Sequence, residues 1–182
     1  MILHTSLWLP VSERDHVQGS EFAPLTMVEY GDYQCPFCGA AYPVVKRLQK
    51  SFDRNLRFVF RNFPLTQSHP FAEAAAEAAE AAGLLGRFWE MHDVVYESQA
   101  SLTPENLVAW ARRLGLEDKD LAAAFGSPEL IRRIKEDRMS GLRSGVNGTP
   151  TFYINGARYD GYPSFESLGE ALESALHELG VA

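Results

Sequence analysis

The sequence predicts an α/β fold interrupted by a helical insertion, and three observations carry that prediction. A strand, a helix and a second strand follow one another within residues 24–63. A run of helix signals without a convincing strand then extends from Ser68 to about Ser144, and a strand pair with a closing helix ends the chain. The chain accordingly divides into a βαβ part (residues 1–66), an all-helical insertion (67–144) and a ββα part (145–182). Its 182 residues fit one ordinary domain, or one domain carrying an insertion.

The elements follow in order. "PLTMVEYGDY" is apolar and β-branched at its centre, bounded by Pro24 and Gly31, and reads as a buried strand. From Pro36 to about Phe52 the apolar residues Tyr42, Val45, Leu48 and Phe52 recur three and four apart, the period of an amphipathic helix. "NLRFVFRNF" is a second strand, closed by Pro64, and strand, helix, strand at this spacing makes a parallel βαβ unit. In the insertion, "HPFAEAAAEAAEAAG" stops at Gly83 and is expected to keep Glu73, Glu77 and Glu80 on its wet side. "GRFWEMHDVVYES" places Phe88, Met91, Val95 and Trp89 on one face. "LTPENLVAWARRLG" opens with Thr103 as N-cap, Pro104 at the first helical position and Glu105 in the first turn. "EDKDLAAAFG" is a short helix, and "SPELIRRIKEDRMSGL" is a long one begun by Ser127 and Pro128. "TPTFYINGARYDG" is a hairpin about Asn155-Gly156, and the last helix carries Leu168, Leu172, Leu176 and Leu179 on one stripe.

Composition narrows the function. With 46% hydrophobic and 23% charged residues the chain is globular in character, and no segment has the length and apolarity of a membrane span. A net charge of −7 argues against nucleic acid, whose binding draws on clustered Lys and Arg. The N-terminus has no Lys or Arg before Arg14, and its apolar run is broken by His4, Thr5 and Ser6 and ended by Pro10. That matches an export signal poorly, so a cytoplasmic protein is expected.

Both cysteines of the chain, Cys35 and Cys38, fall in "QCPFCG" at the strand-to-helix junction. A sulfur at a helix start meets backbone N–H groups without intrahelical partners and the positive end of the helix dipole. Both favour thiolate, and a cysteine so placed in C-x-x-C commonly ionises between roughly pH 3.5 and 7.5. Cys38 shares a face with Cys35, so the pair suits reversible disulfide chemistry, with Cys35 attacking and Cys38 resolving. Two cysteines this close cannot staple distant parts of a fold. Zinc is the main rival, but His4, His16, His69, His92 and His177 are scattered without ligand spacing, so no metal is expected. Glu29, six residues before Cys35, is either a buried acid that exchanges a proton with Cys38 or a strand-edge carboxylate reaching water. Thr149-Pro150 opens a strand after two glycine-containing turn signals, and by itself such a bond is usually trans.

"CPFC", Glu29, "VNGTPTFYING" and the helical insert together resemble the thioredoxin superfamily, and more narrowly its DsbA-like group. "DHVQGSEFAPLTMVEYGDYQCPFC", "LRFVFRNFPL" and "HPFAEAAAEAAEAAG" resemble the branch that includes stand-alone members and domains fused to some sodium/proton antiporters. The resemblance implies a thioredoxin fold, a central mixed sheet flanked by helices, with the insertion as a subdomain. It implies a thiol-disulfide oxidoreductase with Cys35 as nucleophile, Cys38 as resolving thiol, Glu29 as buried acid and Pro150 as a cis-proline. Thr149 would offer its backbone to a substrate peptide, and Tyr33, Phe37 and Tyr162 would line the substrate surface. The partners implied are protein or peptide thiols and disulfides, with glutathione or another redox partner supplying or taking electrons, and no cofactor. Phe37 departs from the His that many members carry there and offers no hydrogen bond to a thiolate, so a less oxidising pair is expected. The alternatives are a redox-sensing or partner-binding module, and a glutathione-dependent transferase or isomerase, against which Cys38 counts.

Overall fold

A computed structural model describes residues 6–180. Its core is a mixed five-stranded sheet in the order β1-β3-β2-β4-β5. The central strand β2 (Leu25–Gly31) is buried along its length except at Thr26, as its nearly continuous apolar sequence requires. It runs parallel to β3 (Leu56–Asn62) and antiparallel to β4 (Thr151–Ile154). β5 (Ala157–Tyr159) closes the hairpin through Asn155 and Gly156, both at positive φ, which the Asn-Gly pair adopts at little cost. β1 (His16–Gln18) lies antiparallel to β3 and was not expected. Three residues with one apolar member are too few to show a period.

Alternation along the strands sorts the side chains onto two faces. Leu25, Met27, Phe58, Phe60, Phe152 and Ile154 belong to the larger core, which continues into the insertion. Val28, Tyr30, Val59 and Tyr153 form a smaller core with Phe63 and Val146. Helix α1 (Pro36–Phe52) turns Cys38, Ala41, Val45 and Leu48 inward, with Tyr42 and Phe52 half-buried beside them.

The insertion consists of α2 (Ala72–Gly83), α3 (Phe88–Glu97), α4 (Pro104–Arg113), α5 (Asp118–Ala124) and α6 (Pro128–Ser144). The Thr103 and Ser127 side chains accept backbone N–H groups at the starts of α4 and α6, at 3.2 and 3.3 Å. Helix α6 also closes the smaller core: a Cβ at Gly141 would lie 2.8 Å from the Phe63 ring and 3.0 Å from Tyr30. No helix among the described residues is long and apolar enough to cross a membrane. Helix α7 (Phe165–Glu178) covers the larger core with Leu168 and Leu172. Leu179, expected on that stripe, lies beyond the helix end and is exposed.

Helix α2 departs from expectation more instructively. Glu73 is exposed and Glu77 half-buried, but Glu80 is 2% exposed. Packed among its neighbouring helices, the end of α2 has no wet side. Glu80 instead meets Arg133 of α6, His16 of β1 at 2.9 Å and the Asn62 amide at 2.7 Å, so its charge is compensated where it is buried. Glu80→Ala takes a carboxylate acceptor from each of these partners, and a loss of about 3 kcal/mol is expected in urea unfolding. A loss below about 1 kcal/mol would place Glu80 with exposed ion pairs.

Candidate active site

The parallel pairing of β2 with β3 ends at Gly31, and the chain must turn before α1 begins. Asp32 shapes that turn. Its Oδ1 accepts the backbone N–H groups of Gln34 and Cys35, at 2.7 and 3.2 Å. Cys35 is thereby set as the N-cap of α1, with extended backbone angles and Pro36 following it. Because β4 pairs with β2 at Tyr30 and Thr151, the residues just before β4 lie against those just after β2. The cis Thr149–Pro150 bond sits there, and Cys35 Sγ lies 3.3 Å from the Thr149 carbonyl oxygen, which accepts from the sulfur only in its protonated form.

The two sulfurs have opposite electrostatics. The Cys38 thiol is the largest influence lowering the Cys35 pKa; the Thr149 side chain and the N–H groups of Cys38 and Phe37 act the same way against burial. Together they bring Cys35 from 9.0 to about 5. Cys38, wholly buried, is held well above 9.0, first by burial and then by its donation to Cys35 and the nearby negative charges. Its sulfur accepts the Asp32 N–H at 3.4 Å. Cys35 is therefore a thiolate at neutral pH and Cys38 a thiol.

Glu29 lies in mid-strand between Phe60 and Phe152 and is 3% exposed, which excludes the solvent-reaching alternative. Burial first, then the Cys35 charge, raises its pKa from 4.5 to about 8. Gly31 makes its space: a Cβ there would come within 2.3 Å of the Phe60 ring and 3.0 Å of Glu29 Oε1.

Phe37 is 71% and Tyr162 80% exposed, so both offer apolar surface. Tyr33, expected beside them, is instead buried at 1%, packed on Phe60 and Tyr96 with its hydroxyl 3.1 Å from His92 Nδ1. One residue after Asp32, it follows the turn back into the core. His16 and His69 engage carboxylates, His92 is buried among aromatic rings, and His4 lies outside the described residues. Among the described residues no three potential ligand side chains are grouped to hold a metal ion.

Three residues of the site escape sequence reasoning. Asp32 had a usable signal, a side-chain acceptor just before a helix. His69 Nδ1 approaches Asp32 Oδ2 at 2.8 Å from the segment entering the insertion. Gln99, between α3 and α4, donates Nε2–H to the carbonyls of Tyr33 and Cys35, both at 2.9 Å. Nothing local in sequence marks the last two.

A thioredoxin family model matches residues 11–174. The chain is 46% identical over 171 residues to a sodium/proton antiporter NhaA of Salinispora arenicola, covering 93% of this chain but 26% of that protein. An NhaA antiporter of Mycolicibacterium gilvum is 39% identical over 164 residues, covering 89% of this chain and 27% of that protein. The chain thus spans about a quarter of these relatives' length. Among solved structures, a thioredoxin-like oxidoreductase from Silicibacter pomeroyi is 27% identical, with TM-score 0.79 over 91% of this chain and 94% of that one. Oxidised BdbD from Bacillus subtilis, 24% identical, shares the fold with TM-score 0.84 over 96% and 98% of the two chains.

The two raised or lowered acids act on stability with opposite signs. In the reduced protein, Cys35 contributes stability that is fully present above its unfolded pKa of 9.0 and lost as pH falls through about 5. Glu29 contributes stability that is fully present below 4.5 and lost as pH rises through about 8. Urea unfolding across this range is expected to show Cys35→Ser losing stability relative to the parent as pH rises, and Glu29→Gln gaining it. Parallel pH profiles for all three proteins would contradict both assignments.

Proposed function

The chain belongs to the thioredoxin family, and we propose that it is a DsbA-like thiol-disulfide oxidoreductase acting on protein or peptide substrates. The single observation that carries this reading is the placement of the sulfurs: Cys35 at the helix start against the cis Thr149–Pro150 bond, and Cys38 fully buried one turn behind it.

In the reducing direction, the Cys35 thiolate attacks a substrate disulfide, forming a mixed disulfide and expelling one substrate thiolate. Cys38 then loses its proton to Glu29, whose ionised form is favoured once the mixed disulfide has removed the Cys35 charge that helps to raise its pKa, and attacks the Cys35 sulfur, releasing the second substrate thiolate. The substrate gains two electrons and the pair ends as a Cys35–Cys38 disulfide. In the oxidising direction, a substrate thiolate attacks Cys35 Sγ, and Cys38 leaves with a proton from Glu29. A second substrate thiolate then attacks the substrate sulfur of the mixed disulfide and displaces Cys35 as a thiolate, whose low pKa makes it a good leaving group.

Pro150, Thr149 and exposed Phe37 form the substrate surface in this reading. Thr149, beside the sulfur, offers its backbone to an extended peptide in the manner of strand addition, and Phe37 supplies apolar contact. Phe37 gives the thiolate no side-chain hydrogen bond, while the other donors hold Cys35 near 5, between the values typical of thioredoxin and of strongly oxidising relatives.

The antiporter relatives, in which the matching stretch is about a quarter of the whole, support a second reading, a redox-responsive module serving a transport protein. It requires a partner interaction that changes with the state of the cysteines and little turnover.

Cys35→Ser is expected to abolish exchange with protein disulfides, and Cys38→Ala to accumulate mixed disulfides visible by mass spectrometry. Full activity of Cys35→Ser would refute the assignment. Equilibration with glutathione buffers is expected to give a potential between about −270 and about −120 mV, the values of thioredoxin and DsbA. A value outside that interval would overturn the intermediate poise.

A further inference from the structure

Among the described residues, His69 has no hydrogen bond to either sulfur, yet it is the one side chain that bonds the carboxylate shaping the cysteine turn. The Asp32 side chain is 0% exposed, and a buried carboxylate must be matched by donors. Oδ1 takes the N–H groups of Gln34 and Cys35; Oδ2 takes the N–H of Leu65 at 2.8 Å and faces His69 Nδ1 at 2.8 Å. Three of these donors are backbone groups that almost any residue supplies. The fourth depends on residue 69. The same two segments meet again where Phe71 N–H donates to Gln34 Oε1 at 2.6 Å.

Asp32 acts on both sulfurs. Its carboxylate bonds the Cys35 backbone, and its own N–H bonds Cys38 Sγ. A negative charge so close to Cys35 opposes the thiolate, and every donor that draws this charge toward the far oxygen weakens the opposition. We propose that His69 is a positioning residue that, by donating Nδ1–H to Asp32 Oδ2, turns the Asp32 charge away from Cys35 and so stabilises the reduced pair. The inference rests on the thiol-disulfide reading above and names the residue that tunes it.

The test is equilibration of the full chain with reduced and oxidised glutathione at neutral pH. Two glutathione thiols yield two electrons to the protein disulfide and become one glutathione disulfide; of the two protons released, one goes to Cys38 and the other to solvent, because Cys35 stays ionised. His69→Gln places its amide near the position of Nε2 and misses Asp32, whereas His69→Asn places its amide near Nδ1 and keeps the bond. The reduced-to-oxidised equilibrium constant is expected to fall about tenfold in H69Q, matching a rise of about one unit in the pH at which Cys35 ionises. It is expected to stay within about twofold of the parent in H69N.

Asp32→Asn removes the opposing charge and is expected to raise the constant, and on that background H69Q should have no further effect. A purely structural His69 would leave the constant unchanged in H69Q, or shift H69Q and H69N alike; either result overturns the proposal. Should H69Q not fold, D32N decides alone: an unchanged or lowered constant overturns it. A parent protein that fails to equilibrate with glutathione refutes the thiol-disulfide reading itself, whereas an equilibrating parent with an unaffected H69Q refutes only the role of His69.

Discussion

The first turn of an α-helix leaves backbone N–H groups with no intrahelical acceptor, and in this fold a sulfur is placed at that spot. Cys35 is the N-cap residue of α1 and makes no side-chain capping bond of the usual oxygen kind. The N–H groups of Phe37 and Cys38 and the Cys38 thiol favour its charged form instead. The same turn that makes Cys35 acidic carries Cys38 into the core, where burial makes it the reverse. One local geometry thus divides two chemically identical side chains into an attacking and a resolving partner.

The rest of the fold serves to hold that geometry. The register of β4 on β2 brings Thr149 to the sulfur, although the two lie more than a hundred residues apart in sequence. The insertion contributes Gln99 to the carbonyls of Tyr33 and Cys35, and the segment leading into it contributes the N–H of Leu65 and the ring of His69 to Asp32. It is therefore part of the frame around the active site as well as a lid on the larger core. Buried Glu80 joins it to the sheet through half-buried His16 and buried Asn62, and removing one partner of so buried a carboxylate costs more than the intact contact contributes.

Periodicity and punctuation made much of this legible. The strands β2 to β5, the helices with their Thr103 and Ser127 caps, and the cysteine pair are all written in local sequence, because each depends on residues a few positions apart. The misplaced residues failed for long-range reasons. Glu80 reads as a wet-face carboxylate until α6 and β1 close over it, and Tyr33 reads as surface until the Asp32 turn directs it inward. β1 carries too few residues to show a pattern and exists because β3 offers it an edge. Glu29 was ambiguous because one strand cannot reveal whether it is central, and its burial follows from the neighbours on both sides.

The most direct measurement is the alkylation rate of the fully reduced protein by iodoacetamide across pH, with the modified residue identified by mass spectrometry. Cys35 alone is expected to react, with a rate that rises through a midpoint near pH 5 and is level by neutrality, while Cys38 stays protected. A Cys35 rate that climbs only toward pH 9, or a Cys38 that reacts as fast, would contradict this expectation.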